Sequence, residues 1–309
     1  MEKVYIIKGG SPEELGYNLI AGVQPQVSGS VLIKPNLTLP VEPWSGIITH
    51  PLFCEGVVRW LQEQSDVTRI AIGEGVGYNL SMDEYFRRCR YTAVAERTGV
   101  ELLDFHAGKK GTTKLPIPSG KVLKEIEVTP YFVEFDTIIS TPVLKTHGLS
   151  ITTLGMKNLI GLILPFNKKC IIHKAFNRIA KGARGRTLTE EEFDEAAQDF
   201  TVRLCDFVSA LAPKPQITLI DGFLGREGNG FFDGRTKRMG IAVGGTNVVA
   251  TDVVGSFLME FEVEKVPYLK GAVSHDLGPG FSDIEIVGED PYKLREKFEV
   301  LTSKDLPLL

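Results

Sequence analysis

The sequence predicts an α/β protein with mostly parallel sheets flanked by helices and a ligand crevice at the carboxyl ends of the strands. Short runs rich in β-branched residues alternate with segments of helical periodicity, which is typical of a parallel sheet. Several of these runs end in polar or glycine-rich junctions, and ligands of open α/β sheets bind where strands end. The predicted strands are Val4–Ile7, Val31–Ile33, Arg69–Ile72, Glu101–Phe105, Thr137–Ser140, Ile217–Ile220, Met239–Val243 and Asp283–Val287.

Helices are predicted between these strands because their starting residues are recognisable. A serine or threonine that can cap a helix stands at three starts: Ser11 before Pro12, Ser81 with Glu84, and Thr189 with Glu192. After Thr189 apolar residues recur at three- and four-residue steps until Pro213, which predicts one long helix.

Composition narrows the class of protein. With 309 residues, 43% hydrophobic and 24% charged, the chain fits a single α/β unit spanning residues 1–309, or two intimate discontinuous subdomains. A Lys-, Gly-, Thr- and Pro-rich stretch predicts a surface excursion at about residues 108–120. No apolar run approaches the ~18 residues of a membrane span, and a pI near 5.8 argues against nucleic-acid binding.

The four cysteines are scattered, without the spacing of a disulfide framework, a zinc site or an iron–sulfur cluster. We therefore expect no iron–sulfur cluster and a reducing, cytoplasmic compartment. Two nucleotide motifs are also excluded: the Gly73–Gly77 run lacks the third glycine spacing of a dinucleotide fingerprint, and no Walker A sequence is present.

Positive charge is concentrated in one segment of this acidic chain. Thr137–Thr189 contains no Asp or Glu but nine Lys or Arg and two of the five His, whereas the whole chain has a formal charge of −4. A cleft lined by one sign of charge concentrates its counter-ion. The segment predicts a site for a small anionic ligand, although a solvated basic helix face is the alternative.

Five strand-end junctions are predicted to face one crevice. They are Lys34-Pro35-Asn36, Gly73–Gly77, Thr141–His147, Asp221-Gly222 and Gly244–Asn247. The candidate anion-binding residues near these junctions and in the basic segment are Lys34, Asn36, Lys145, Asn158, Asn229 and Asn247.

Histidines and one lysine are the candidates for chemistry. His147 and His173 each lie near a lysine, where cationic neighbours favour a neutral imidazole that can ligate a metal or accept a proton. Lys157 is either a nucleophile or a lysine that pairs with the anion. In contrast, His50 before Pro51 reads equally well as a polar residue at a helix start, and His106 as an exposed loop residue.

Carboxylates near the predicted crevice have three open roles. They could hold a divalent cation, orient a histidine, or cap turns and helices. The candidates are Asp221, Glu227, Asp233 and Asp252, of which Asp252 reads most simply as a residue at a helix start. Glu74, in the Gly73–Gly77 junction, is a further candidate site residue.

Several motifs in order resemble the domain-of-unknown-function family 362. They are VLIKPNL, the TPVLKTH stretch continuing to TTLGMKNLIG, the later His173, LIDGF, EGNG, and GGTN followed by VVATDVVG. Members commonly carry an appended ferredoxin-like cysteine run, which this chain lacks. Phe231 stands where the family often has proline.

A second resemblance is to the nickel-pincer lactate racemase family, through the order and spacing of His147, Lys157 and His173. It implies a proton-transfer role for His147, a cofactor or anion anchor at Lys157, and a metal ligand at His173. Two departures weaken a two-base racemisation. The stretch Gly73–Asn79 has Glu74 and Tyr78 but no histidine, and the racemases' Thr-Arg-Pro motif is mirrored only as Thr49-His50-Pro51.

Two functions remain open from the sequence. The first is an enzyme doing acid–base chemistry, racemase- or isomerase-like, on a small carboxylate or phosphate, with a divalent metal or a nickel-pincer-like cofactor as an addition. The second is a non-catalytic module that docks an anionic cofactor or a redox partner protein in the same crevice. No sequence feature indicates the oligomeric state.

Overall fold

The computed structural model describes residues 1–75, 80–106, 111–212, 214 and 216–308. The strands are β1 (Glu2–Lys8), β2 (Gly29–Pro35), β3 (Val67–Glu74), β4 (Glu101–Asp104), β5 (Thr113–Pro116), β6 (Glu125–Val128), β7 (Thr137–Thr141), β8 (Val143–His147), β9 (Ile151–Thr152), β10 (Gln216–Arg226), β11 (Thr236–Gly245) and β12 (Ile284–Gly288). The α-helices are α1 (Pro12–Val23), α2 (Pro51–Gln62), α3 (Met82–Arg88), α4 (Tyr91–Thr98), α5 (Tyr131–Glu134), α6 (Gly155–Asn158), α7 (Lys174–Gly182), α8 (Glu190–Leu211), α9 (Val248–Leu258), α10 (Pro267–Ser274) and α11 (Pro291–Leu294).

Ten of the described strands form one mixed sheet, whose main path runs β12-β1-β11-β10-β7-β2-β3-β4. From β10 to β4 the neighbours along this path are parallel, so their carboxyl ends meet at one edge. Strand β11 runs antiparallel to both β10 and β1. The α/β class with a mostly parallel sheet is confirmed, and all but two of the residues predicted as strand, Phe105 and Asp283, lie in observed strands. Strand β10 extends past the predicted end at Ile220 to Arg226, so Asp221-Gly222 lies inside the strand rather than after it.

Helices cover both faces of the sheet, and the side chains of β2 show how the two cores are divided. Val31 and Ile33 pack in a cluster with residues of α1 and α2, whereas Leu32 belongs to a second cluster that includes residues of α8 and α9. This alternation follows from the two-residue repeat of a strand. Because both faces are buried, β2 and β7 are apolar at successive positions.

Helices α1 and α2 cross with their backbones in contact. A Cβ atom at Gly16 would overlap the carbonyl oxygen of Phe53, and one at Gly56 would overlap that of Glu13. Glycine is therefore required at both positions. This close crossing packs α2 directly against α1.

The predicted helix starts are largely confirmed. Ser11 and Thr189 both form complete capping boxes, and Ser81 accepts a hydrogen bond from the Glu84 backbone. Helix α8 continues to Leu211, and Pro213 lies outside the described residues. None of the helices that the structure describes is long and apolar enough to cross a membrane.

Part of the predicted surface excursion at residues 108–120 belongs to a β-hairpin. From Thr113 onward, β5 pairs with β6 in an antiparallel register that joins Thr113 to Val128 and Pro116 to Glu125. The first part of the predicted stretch, up to residue 110, lies outside the described residues.

Candidate functional site

A cleft of about 300 Å³ opens at the carboxyl ends of β2, β3 and β8. It brings together many of the predicted site residues: Lys34, Asn36, Glu74, Lys145, His147, Lys157, Asn158 and His173. Four lysines and a single carboxylate are among the described residues that line it. The cleft therefore has an excess of positive charge, supplied mainly by the acid-free segment.

A buried ion pair forms one wall. The ammonium of Lys34 donates to Glu74 Oε2 at 2.7 Å, to the carbonyl of Pro35 at 3.0 Å and to Asn158 Oδ1 at 3.2 Å. The Lys34 side chain is 1% exposed and that of Glu74 is 5% exposed. Burial lowers the pKa of Lys34, and the charge of Glu74 opposes this effect. Three acceptors occupy the three protons of this ammonium, so Lys34 has none left for a ligand.

The Lys145 ammonium also has an acceptor for each of its three protons. Its ammonium donates to Asn36 Oδ1 at 2.8 Å, to the carbonyl of Ile47 at 2.9 Å and to Thr38 Oγ1 at 3.4 Å. Burial, with the positive charge of Arg226, lowers its pKa to about 7. Lys34 and Lys145 therefore act on a ligand through their charge and by holding Asn36 and Asn158 in place, with no direct contact.

His147 is held in one tautomer. Its Nδ1 accepts hydrogen bonds from the backbone N–H groups of Leu149 at 3.0 Å and Ser150 at 3.4 Å. A neutral imidazole whose Nδ1 is an acceptor carries its proton on Nε2. Burial, with the charge of Lys157, lowers the pKa of His147 well below its ordinary value. His147 therefore presents an N–H donor.

The turn that follows His147 is strained. Strands β8 and β9 pair His147 with Ile151, and Ile151 has a φ of 65°. A β-branched residue rarely adopts this left-handed conformation. The strained turn is the one that places the Leu149 and Ser150 N–H groups on the imidazole.

Lys157 lies on α6, whose two ends are anchored. At the start of α6, Asp252 accepts hydrogen bonds from the N–H groups of Gly155 at 2.6 Å and Met156 at 2.9 Å. At its end, Asn158 Nδ2 donates to the carbonyl of Lys34 and to Ser140 Oγ, both at 3.0 Å. The backbone on either side of Lys157 is therefore fixed.

The Lys157 amine differs from those of Lys34 and Lys145. Among the described residues it has no hydrogen-bond acceptor or ion-pair partner, and its Nζ lies 5.1 Å from the centroid of the Phe200 ring. Burial, with the charge of Lys145, lowers its pKa well below the ordinary lysine value. This amine is the one that a ligand in the cleft can engage.

His173 also lines the cleft and packs on the same Phe200 ring, with the ring centroids 4.9 Å apart. Burial, with the charge of Lys157, lowers its pKa to about 3. The neutral ring carries a lone pair on one of its two nitrogens.

Among the cleft residues that sequence reasoning did not select, Lys169 and Phe231 have side chains that could affect a ligand. Lys169 lines the cleft and donates to the carbonyl of Gly75, and burial lowers its pKa to about 8. Its position in the acid-free segment was an available signal. Phe231 also lines the cleft, 5.2 Å from Lys145 Nζ and 5.7 Å from the His147 ring centroid. The sequence did offer a signal for Phe231, because this residue replaces the proline that the family often has there.

Other predicted residues lie outside the cleft. Asn247 caps α9 by accepting from the Ala250 N–H. It lies at the opposite edge because β11 is antiparallel to β10, so the expectation that all five junctions face one crevice is wrong there. Asn229 bonds Asp233 and Phe231 within its own turn. Tyr78 lies outside the described residues.

Glu227, Asp221 and His50 also have structural partners. Glu227 is 2% exposed and accepts from Arg235 and from the Glu299 backbone. Asp221 accepts from the backbone of His50 at 2.8 Å, and burial raises its pKa to about 6. His50 accepts from the Leu52 N–H as the N-cap of α2, and burial lowers its pKa to about 4.

With this geometry established, comparison with known proteins identifies the family. Residues 31–256 match the domain of unknown function DUF362. The chain belongs to this family. A relative of this chain, the thylakoid-associated protein sll1697 of Synechocystis sp., is 23% identical over 270 residues, covering 85% of this chain and 73% of the relative.

Two solved structures are also similar to this chain. The lactate racemase apoprotein from Thermoanaerobacterium thermosaccharolyticum has 14% identity and a TM-score of 0.44, covering 85% of this chain and 58% of that one. A protein of Thermotoga maritima has 15% identity and a TM-score of 0.46, covering 72% of this chain and 53% of that one. This DUF362 chain therefore spans little more than half the length of these two solved chains.

The donor set limits how a metal could bind. Within the residues that the structure describes, no three His, Cys, Asp or Glu side chains converge on a common point. His173 offers one ring nitrogen. A metal at His173 would therefore take its remaining ligands from a bound cofactor or substrate.

Proposed function

We propose that this DUF362 protein is an enzyme that performs acid–base chemistry, of the racemase or isomerase kind, on a small anion bearing a carboxylate or a phosphate. The proposal is carried by one observation: some of the cationic and donor groups of the cleft have hydrogen-bond partners within the protein, and others have none. Lys34 and Lys145 are bound internally, whereas Lys157 and the His147 Nε2–H face the cleft without partners among the described residues. Hydrogen-bond donors that have no acceptor in the described protein can bind an anionic oxygen of a ligand.

Charge and burial strengthen these donors. In a site screened from water, fixed donors and cations stabilise developing negative charge more than they do in solution. The Lys34 and Lys145 side chains belong to the cleft wall and need no reorganisation when a ligand enters, because their acceptors already fix them.

The two histidines are both held neutral, because burial lowers the pKa of each. His147 accepts backbone hydrogen bonds at Nδ1 and so presents its Nε2–H as a donor, whereas the neutral His173 ring has one nitrogen with a lone pair. In the proposed reaction His147 holds an oxygen of the anion, and His173 accepts a proton.

Burial of the cations favours this reading over a docking module. A redox partner protein would need exposed cations, but the Lys34 and Lys145 residues are 1% and 2% exposed. A ligand that enters a cleft of about 300 Å³ is a small molecule.

The first test combines ligand binding with proton exchange. We expect titration calorimetry to detect binding of inorganic phosphate, L-lactate or D-lactate, and NMR in D2O to detect exchange of the substrate Cα–H. Lys157→Met removes a charge-assisted hydrogen bond worth about 1.5–3 kcal/mol, so affinity should fall about 10- to 100-fold. Lys181→Met, on the exposed part of the same basic segment, is the matched control.

A further variant isolates the donor of His147. His147→Asn keeps a side-chain acceptor for the Leu149 N–H but deletes the Nε2–H, so binding should weaken while urea unfolding changes little. Unchanged affinity in both Lys157→Met and His147→Asn would contradict the proposed site. Binding of lactate without any exchange would favour the docking module.

Metal binding at His173 is a separate element of the proposal. Protein purified without chelators should contain a divalent metal that is reduced in His173→Ala when measured by elemental analysis. Equal metal content in the two proteins would remove His173 as a ligand while leaving the anion site untouched.

We also propose a cytoplasmic location, since the four cysteines are free and free thiols are typical of a reducing compartment. The Synechocystis relative is named for its association with thylakoids. Cell fractionation with detection of the protein in membrane and supernatant fractions would decide between the two.

A further inference from the structure

The amine of Lys157 has the features of a nucleophile. It lines the cleft, and it has no acceptor or counter-ion among the described residues. The anchors at Gly155, Met156 and Asn158 fix the backbone around it. A lysine that only balanced charge in the fold would have an acidic partner, as Lys34 has Glu74 at 2.7 Å.

The surroundings favour the neutral amine, which has a lone pair. Phe200 presents an apolar ring face 5.1 Å from Nζ, and the nearby Lys145 is cationic. Desolvation and a neighbouring cation are the two conditions that activate a lysine toward carbonyl compounds. The imidazoles of His147 and His173 line the same cleft.

We infer that Lys157 forms an imine with a small 2-oxo acid, which is the substrate class that this cleft takes. The inference rests on the proposed anion site, since the positive charge of the cleft would attract the carboxylate of the acid. The carbonyl group of the same molecule would then meet the Lys157 amine in the same cleft.

The step balances without an oxidant or a reductant. The Nζ lone pair forms a bond to the carbonyl carbon, and the carbonyl π electrons move to the oxygen, which accepts a hydrogen bond from His147 Nε2–H. His173 carries one proton from the attached nitrogen to this oxygen, which becomes a hydroxyl, and then carries the second. The nitrogen lone pair forms the C=N bond as the C–O bond breaks, and the hydroxyl leaves as water. Amine and ketone thus give imine and water.

The imine also connects with the proposed acid–base chemistry. A protonated imine withdraws electrons from the adjacent carbon, and this makes the neighbouring C–H easier to remove. A 2-oxo acid held in this way would exchange its C3 protons, with His173 as the acceptor.

Reductive trapping tests the inference directly. The intact protein is incubated with pyruvate and sodium cyanoborohydride, and adducts are measured by intact mass spectrometry and peptide mapping. We expect one adduct per chain, mapped to Lys157, present in Lys181→Met and absent in Lys157→Met. Excess L-lactate, which has the carboxylate but no ketone, should slow adduct formation in the wild-type protein.

The outcomes separate the imine from the anion site. Adducts spread equally over surface lysines, or no adduct at all, would overturn the imine. If pyruvate then still bound to the wild-type protein in titration calorimetry and was displaced by L-lactate, the anion site would stand. Mapping and lactate protection use only wild-type protein, so the test does not depend on the folding of Lys157→Met.

Discussion

Replacing Glu74 by glutamine is expected to lower the free energy of unfolding by about 3–5 kcal/mol at pH 7. The substitution keeps the size of the side chain but removes the charge that faces the Lys34 ammonium at 2.7 Å. Lys34 is 1% exposed, so water cannot replace the lost partner. An unpaired buried cation costs far more than the pair itself contributes. Urea unfolding of the wild-type protein and Glu74→Gln measures the loss.

Two further measurements identify the cause of this loss. The cost should shrink as the pH rises above 7, because Lys34, whose pKa burial already lowers, can release its proton instead of remaining charged. The double variant Lys34→Met/Glu74→Gln should recover most of the lost stability. Glu125→Gln, which breaks the exposed pair with Lys114, is the control and should change little. A double variant no more stable than Glu74→Gln would show that the ion pair is not the cause.

The position of the site was predictable because it depends on strand order and periodicity. Three strands, β2, β3 and β7, are apolar enough to be recognised from the sequence. Lys34 and Glu74 lie at the carboxyl ends of β2 and β3, and β7 precedes the stretch that reaches His147. Parallel neighbours place their carboxyl ends at one edge. The junctions after these strands therefore had to meet, and in the structure they line the cleft.

The junction at Asn247 shows where this reasoning stops. Strand β11 contains an apolar run like those of the parallel strands in the sheet, and nothing in its side-chain pattern encodes its direction. Its direction comes from antiparallel pairing with β10, after the irregular turn near Asn229 and Phe231. A strand that reverses moves its carboxyl end to the other edge of the sheet.

The roles of the lysines were not predictable for a different reason. From the sequence, Lys34, Lys145 and Lys157 are equal candidates for contact with an anion. They differ in whether hydrogen-bond acceptors surround the amine. Lys34 and Lys145 have acceptors from residues distant in sequence, such as Glu74, Asn158 and Ile47. Only the tertiary structure shows that Lys157 has no such acceptor among the described residues. The same applies to the tautomer of His147, which depends on a strained turn.

Raising the pH from 7 to 9 is expected to stabilise the protein, and Lys145 is the residue expected to contribute most clearly. Burial lowers its pKa from the model-peptide value of 10.5 to about 7. Between these two values the unfolded chain binds a proton that the folded chain does not, so the free energy of unfolding rises with pH by up to about 1.4 kcal/mol per unit. The lowered pKa values of Lys157 and Lys169 act in the same direction.

Groups with raised pKa values limit the pH range over which the free energy of unfolding rises. Burial raises the pKa of Cys54, Cys89 and Cys205 to about 12, so their thiols begin to oppose stabilisation above their ordinary pKa of 9.0. Urea unfolding of the wild-type protein at pH 7, 8 and 9 should therefore show a rise. Lys145→Met should lose about 2 kcal/mol of it. Because every other group is common to both proteins, only the difference between the slopes is assigned to Lys145. Equal slopes in the wild-type protein and Lys145→Met would mean that Lys145 remains charged in the folded protein, held by Asn36, Thr38 and the Ile47 carbonyl.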